Sequence, residues 1–245
     1  MRLRSVLLLA ALLVGAALPG FAQSQIKIGA AESLTGNAAQ YGVSIRRGLE
    51  LAAAEINAAG GVNGRRIDLV VENEQGKKEE AINVFKKLIF QDKVLMLFGP
   101  TLSNSAQASN PAAQAARVVV FGTSNTADGI TSIGNYVFRN SVTEADILPV
   151  TLRLAAQKTG LKKVAVLYGN DDIFTKSGYD NFKKALQDLK IPVTVTETFA
   201  KGDADFKPQL TKIKSSGADA IVLSALVAEG APIMVQARQL GITLP

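Results

Sequence analysis

Two doubly wound α/β lobes, each built on a parallel sheet and joined by a hinge, are the fold class this sequence predicts. Three observations carry the prediction. The strand-like runs are apolar throughout rather than alternating, as in Leu69, Val70 and Val71, which is the pattern of a parallel sheet covered on both faces. Each run is followed by a segment with helical spacing of its apolar residues. The alternation then pauses once, in a stretch from Thr123 to Asn135 rich in Ser, Thr, Asn and Gly, and restarts. A chain of 245 residues, at about 150 residues per domain, also favours two units.

The first element is a leader. Met1 to Arg4 is basic, Val6 to Leu18 is apolar, and Pro19-Gly20-Phe21-Ala22 breaks the run with small residues. That order is the pattern of a secretory signal. The rival reading is a membrane anchor, but a span needs about 20 apolar residues. The expectation is export with cleavage after Ala22, so residues 1–22 are assigned as a signal peptide.

The first lobe, residues 23–140, opens with a strand at Ile26–Ala31. A helix follows at Gly42–Ala59, with helical spacing of Val43, Ile45, Leu49, Ala52, Ala53 and Ile56 and Gly60-Gly61 as its stop. Ile67–Glu72 reads as a strand and Glu79–Phe90 as a helix, with Phe85, Leu88 and Ile89 facing inward. Val94–Phe98 is a strand, Ser103–Ala116 a helix, Val118–Phe121 a strand and Tyr136–Arg139 a short edge strand. Asn140–Thr143 is the candidate hinge. The second lobe, residues 141–245, alternates helix Glu144–Thr159, strand Lys163–Tyr168, helix Lys176–Leu189, strand Val193–Thr198, helix Phe206–Ser216, strand Ala220–Leu223 and helix Glu229–Leu240. Another strand is expected to begin at Gly241–Pro245, so this lobe is expected to be incomplete at the C-terminus.

Composition narrows the chemistry. The chain has no Cys and no His, which removes disulfides, zinc–thiolate sites, thiol nucleophiles and the commonest general base. No cofactor and no metal are expected. Charge beyond the leader is 25 basic against 21 acidic residues, a spread surplus of +4 with no basic stripe, so nucleic acid is not an expected partner. There is no GxGxxG after the first strand and no phosphate-cradling loop. A serine hydrolase lacks its base. The expectation is a protein that binds rather than catalyses.

In open α/β sheets ligands sit beyond the carboxyl ends of the strands, near helix starts. The loop after the first strand, Glu32 to Gly42, holds Tyr41, whose ring and hydroxyl suit a ligand and equally suit packing at the start of a helix. The loop after Val94–Phe98 contains Thr101, Leu102 and Ser103. A helix starting there presents unpaired N–H groups and a positive dipole end that take carboxylates readily, while Ser103 also reads as a plain N-cap. The loop after Val118–Phe121 offers Thr123, Ser124, Asn125 and Thr126, which suit a zwitterion or ordinary turn chemistry. In the second lobe, Asp171 and Asp172 read as metal ligands or, more commonly, as an N-cap beside a solvated charge. Phe174, placed in that loop, reads as an apolar lid.

Several segments resemble one family. They are Ile26-Lys27-Ile28-Gly29, Leu34-Thr35-Gly36, Gln40-Tyr41-Gly42, Ala54-Glu55-Ile56-Asn57-Ala58-Ala59-Gly60-Gly61-Val62-Asn63-Gly64, Phe98-Gly99-Pro100, Ser124-Asn125-Thr126-Ala127, Tyr136-Val137-Phe138-Arg139 and Val164-Ala165-Val166-Leu167. Together they resemble the leucine/isoleucine/valine-type binding proteins, the receptors of branched-chain amino-acid ABC transporters with the type I periplasmic binding fold. The resemblance implies that Ser103 binds an α-carboxylate, that Thr126 meets both α-groups, and that the Ser124 carbonyl faces the ammonium. It implies aromatic contacts at Tyr41 and Phe174, with Thr101 and Leu102 completing the ligand-binding set. It further implies a monomer in the periplasm, partnered by an inner-membrane permease, closing on its ligand about the hinge.

The chain departs from the family pattern in places. The family's acidic partner for the ammonium falls beyond Pro245. Ala225–Val227 is aliphatic where the family has a further aromatic. Gln75 and Leu102 stand where some relatives carry a cysteine pair. Relatives with other ligands (aromatic acids, short amides, urea) keep that class open as the alternative, as does a sensory ligand-binding domain of the same fold.

Overall fold

The computed structural model describes residues 25–245; the expected signal peptide lies outside the described residues. The chain runs β1 (Ile26–Glu32), α1 (Ala39–Ala58), β2 (Ile67–Asn73), α2 (Lys78–Lys86), β3 (Met96–Phe98), α3 (Ser103–Ala116), β4 (Val119–Gly122), β5 (Val137–Arg139). It continues α4 (Glu144–Thr159), β6 (Val164–Gly169), α5 (Ile173–Asp188), β7 (Val193–Phe199), α6 (Lys207–Ser215), β8 (Ala220–Ser224) and α7 (Val227–Gln239). The strands form two sheets, in the orders β2-β1-β3-β4-β5 and β7-β6-β8. Every pairing is parallel.

The apolar strands explain this arrangement. In β6, Val164 and Val166 pack with Leu152, Ala185, Leu186 and Val222 on one face of the sheet. Ala165 and Leu167 pack with Phe199, Phe206, Leu210 and Ile233 on the other. Successive side chains of a strand point to opposite faces, so both faces must be apolar and both must be covered by helices. The first lobe repeats the logic, with Phe85 and Leu88 closing on Leu97 and Val120.

Where boundaries differ from the sequence expectation, capping and packing account for it. The helix expected at Lys176 begins at Ile173, because the Asp172 carboxylate accepts from the N–H groups of Phe174 and Thr175. Phe174 is therefore in the first turn of a helix, not in a loop. The helix expected over Glu79–Phe90 ends its α-turns at Lys86 and widens into a π-helical turn over Lys87–Gln91. Ser103 opens α3 as expected, but Leu102 occupies the capping position and no side chain caps the helix, so the plain N-cap reading of Ser103 falls. The segment Gly241–Pro245 forms no strand, although the Ile221 N–H donates to the Pro245 carbonyl at 2.9 Å.

The chain passes between the sheets at residues 140–143, an irregular stretch between β5 and α4. Direct hydrogen bonds then link the two halves. The Asn104 side-chain amide donates to Asp172 Oδ2 at 2.6 Å, and the Ile173 N–H donates back to Asn104 Oδ1 at 2.9 Å. Asn181 donates to Asp128 Oδ2 at 2.7 Å. Among the described residues, no helix is long and apolar enough to cross a membrane.

Candidate functional site

Sheet order decides where a cleft can form. In the order β2-β1-β3, the connections leave β1 and β3 toward opposite sides, and the crevice at such a switch point is where open α/β sheets hold ligands. The loops after β1, β3 and β4 meet there. Two glycines let them meet closely. A Cβ at Gly99, whose φ is +103°, would lie 2.2 Å from the Ala31 carbonyl oxygen, and one at Gly42 would lie 2.2 Å from that of Ser33.

A cavity of about 160 Å³ occupies this crevice. Tyr41, Thr101, Leu102, Ser103, Ser124 and Thr126 line it from the first lobe, and Asp172, Phe174 and Leu226 from the second. The seven residues of the expected ligand-binding set all line this one cavity, whereas Thr123, Asn125 and Asp171 do not. Asp172 and Leu226 are additions. Asp172 was read only as a cap or a metal ligand, and it is the cap of α5. Leu226 lies on the aliphatic stretch after β8, and its position at a strand end was the available signal.

The polar atoms divide into committed and open groups. The Thr101 hydroxyl is committed: it accepts from the Ser33 N–H at 2.9 Å and donates to Glu32 Oε2 at 2.5 Å. Thr101 therefore supports the cavity wall rather than offering its hydroxyl to the cavity. The Ser124 hydroxyl donates to the Thr101 carbonyl at 2.6 Å, leaving its own carbonyl as the group it can present. Ser103 is buried at the first residue of α3, and its hydroxyl accepts weakly from the Ala127 N–H at 3.4 Å. The Thr126 hydroxyl has no hydrogen-bond partner among the described residues, and the residue is half-buried. Tyr41 lies in the first turn of α1, and its hydroxyl accepts from the Val227 N–H across the lobes at 3.2 Å.

The start of α3 is electropositive. Its first turn holds no acidic residue, and Ala106 is where N–H groups begin bonding back, to the Leu102 carbonyl at 2.9 Å. The amides before it carry the positive end of the helix. Leu102, Phe174 and Leu226 give the cavity its apolar lining.

Buried carboxyls surround this corner, and sequence reading missed their burial. Burial pushes Glu32 up to about 8, against the lowering effect of its bonds from Thr101 and Thr123, with Glu74 adding repulsion. Burial likewise raises Glu74 and Asp172 above the ordinary carboxylate range. Glu144, the first residue of α4, is raised to about 7, chiefly by burial, then by Asp128 and Asp172. A second cavity of about 210 Å³ shares Leu102 and Leu226 with the first and continues toward Gly76, Lys77, Lys201 and Glu229. Among the described residues, no group of three or more acidic side chains could hold a metal ion.

Known proteins are similar to this chain in sequence and fold. The leucine-, isoleucine-, valine-, threonine- and alanine-binding protein of Pseudomonas aeruginosa is 30% identical over 240 residues, covering 96% of this chain and 64% of that protein. The branched-chain amino acid transporter substrate-binding protein LivJ of Streptococcus pneumoniae, solved in complex with isoleucine, superposes with a TM-score of 0.86 at 33% identity. That match covers 91% of this chain and 63% of that one. The leucine-binding protein LivK of Thermotoga maritima gives a TM-score of 0.84 at 26% identity, covering 89% and 61%. The chain thus spans just under two thirds of the length of these relatives. The family model described as periplasmic binding protein matches residues 25–245, the whole described chain with its two parallel sheets and its cleft at the strand reversal, and the chain belongs to that family.

Proposed function

We propose that the protein is a periplasmic receptor that captures an amino acid with a branched apolar side chain and delivers it to the permease of an ABC importer. The observation that carries this reading is the pairing, in one cavity, of an electropositive helix start with an uncommitted hydroxyl and apolar walls. The α-carboxylate docks at the first turn of α3 beside Ser103, because unpaired amides and the helix dipole favour an anion there. The ammonium faces the Ser124 carbonyl and the Thr126 hydroxyl, both able to accept. The side chain lies against Leu102, Phe174 and Leu226.

The family and the named ligands of the relatives support the class of substrate. The hinge at residues 140–143 lets the second lobe close, bringing Phe174 and the Val227 amide onto the first lobe. The leader residues 1–22 direct export and are removed after Ala22, leaving the receptor in the periplasm.

Calorimetric titration of the purified protein with L-isoleucine, L-leucine, an aromatic acid and a short amide tests the reading. Ser103→Ala should weaken the binding of isoleucine by about tenfold, the loss of one bond to a charged group. Unchanged affinity in that variant, or preference for the aromatic acid or amide, refutes the carboxylate corner or the substrate class respectively.

A further inference from the structure

We propose that Glu32 is the positioning residue of this corner: as a neutral acid it ties the carboxyl ends of β1, β3 and β4 together behind the first turn of α3, and an anion bound at that turn draws a proton onto it. The proposal rests on the cleft reading above and goes beyond it by coupling ligand affinity to the protonation of a residue that touches no ligand.

The geometry assigns the bonds. Glu32 is the last residue of β1 and is fully buried. The Thr101 hydroxyl accepts from the Ser33 N–H and has one hydrogen, which goes to Glu32 Oε2, so Oε2 is an acceptor. The Thr123 hydroxyl donates to an ionised Glu32 Oε1 at 3.2 Å, and when Oε1 carries the proton the same hydroxyl can accept instead. A protonated Oε1 therefore donates to Thr123, and the three strand ends are held through one carboxyl. Thr101 and Thr123 immediately precede Leu102-Ser103 and Ser124-Asn125-Thr126, so the clasp sets the spacing of the groups that line the cavity.

A second carboxyl stands behind the same helix start. Glu74 is fully buried, accepts from the Ser105 hydroxyl at 2.9 Å, and donates its backbone N–H to the Glu32 carbonyl at 3.0 Å. Glu74, from the segment after β2, is the titratable group facing Glu32, and the loops after β3 and β4 contribute the hydroxyls of Thr101 and Thr123. Among the described residues no basic side chain forms an ion pair with either glutamate. Two ionised carboxylates here would oppose an incoming ligand carboxylate, because like charges in a buried site repel strongly. Burial keeps Glu32 protonated up to about pH 8, and an anion at α3 raises its hold on the proton further.

The test uses the protein and its variants Glu32→Gln and Glu32→Ala. In Glu32→Gln the amide oxygen still accepts from Thr101 and the amide nitrogen still donates to Thr123. Affinity for L-isoleucine should stay within about threefold in Glu32→Gln and fall by about tenfold or more in Glu32→Ala, where the clasp is lost. Titrations near pH 8, in two buffers of different ionisation enthalpy, should show proton uptake by the wild type and none by Glu32→Gln.

Without ligand, urea midpoints give a second readout. The folded Glu32 titrates above its ordinary 4.5, so its stabilisation is full below that pH and is lost as pH rises to about 8. Wild-type stability relative to Glu32→Gln should therefore decline across that window and level off above it. A flat difference, proton uptake that persists in Glu32→Gln, or a Glu32→Gln protein as impaired as Glu32→Ala overturns the proposal. A wild type that binds no amino acid refutes the substrate reading instead, and the urea comparison still decides the protonation of Glu32.

Discussion

Thr101 and Thr126 both line the cleft, and removing the hydroxyl from each separates binding from folding. The Thr126 hydroxyl has no protein partner among the described residues, so Thr126→Val forfeits no internal hydrogen bond. Stability should change by no more than about 0.5 kcal/mol, the usual range for a substitution away from any such network. Its hydroxyl is the proposed partner of a charged ligand group, and a hydrogen bond to a charge contributes about 1.5–3 kcal/mol. That corresponds to an affinity loss of about 10- to 150-fold. Thr101→Val is the opposite case. Its hydroxyl joins Ser33 and Glu32 at 2.9 and 2.5 Å in a site where Thr101 is 1% exposed. Leaving those two groups without their partner costs about 1–3 kcal/mol for each one left unsatisfied. Urea unfolding monitored by circular dichroism, beside calorimetric titration with L-isoleucine, measures both effects. A Thr126→Val protein that loses stability like Thr101→Val, or that binds isoleucine like the wild type, would refute the division between committed and open hydroxyls.

Other outcomes follow from the same contacts. Asn104→Ala removes both bonds that Asn104 makes to Asp172 and Ile173 across the lobes; small-angle scattering should give a larger radius of gyration than the wild type, and an unchanged radius would deny those bonds a part in closure. Glu144 titrates at about 7 instead of 4.5; its stabilisation is full below the lower value and is lost as pH rises to the upper one. The melting temperature should fall over that interval, and Glu144→Gln should flatten the profile. Expression with the leader, followed by N-terminal sequencing of the periplasmic fraction, should find Gln23 as the first residue.

Much of the fold was legible because its signals are local. Helices α3 and α4 begin and end where the sequence indicated: α3 follows a Gly-Pro loop, and Thr143 caps α4 by accepting from the Asp146 N–H at 3.1 Å. Helices α1, α5 and α7 begin two or three residues earlier than expected: Ala39-Gln40 and Val227-Ala228 carry no start signal of their own, and the Asp172 cap ahead of Ile173 was not used to set the start of α5. The cavity residues were legible for a different reason. Open parallel sheets confine ligands to strand-end loops, which left few polar and aromatic side chains to choose among, and the family resemblance chose ligand roles over capping and turn chemistry. The buried carboxyls were not legible. A lone Glu ending an apolar strand reads as solvated, and the Asp172 cap gives no sign of its burial, because burial of a charge depends on partners far along the chain. Glu32 meets Thr101 and Thr123, and Asp172 meets Asn104, only after the sheets have formed. Leu226 had only its strand-end position as a signal, because an aliphatic residue there reads equally as core packing.

The first turn of α3 as an anion site is tested most directly by a crystal structure of the protein grown with L-isoleucine. Expected are a carboxylate oxygen within hydrogen-bonding distance of the Ser103 hydroxyl and the following amides, and an ammonium against the Ser124 carbonyl and the Thr126 hydroxyl. Isoleucine seated instead in the neighbouring cavity beside Lys77 and Lys201, with water alone at Ser103, would contradict it.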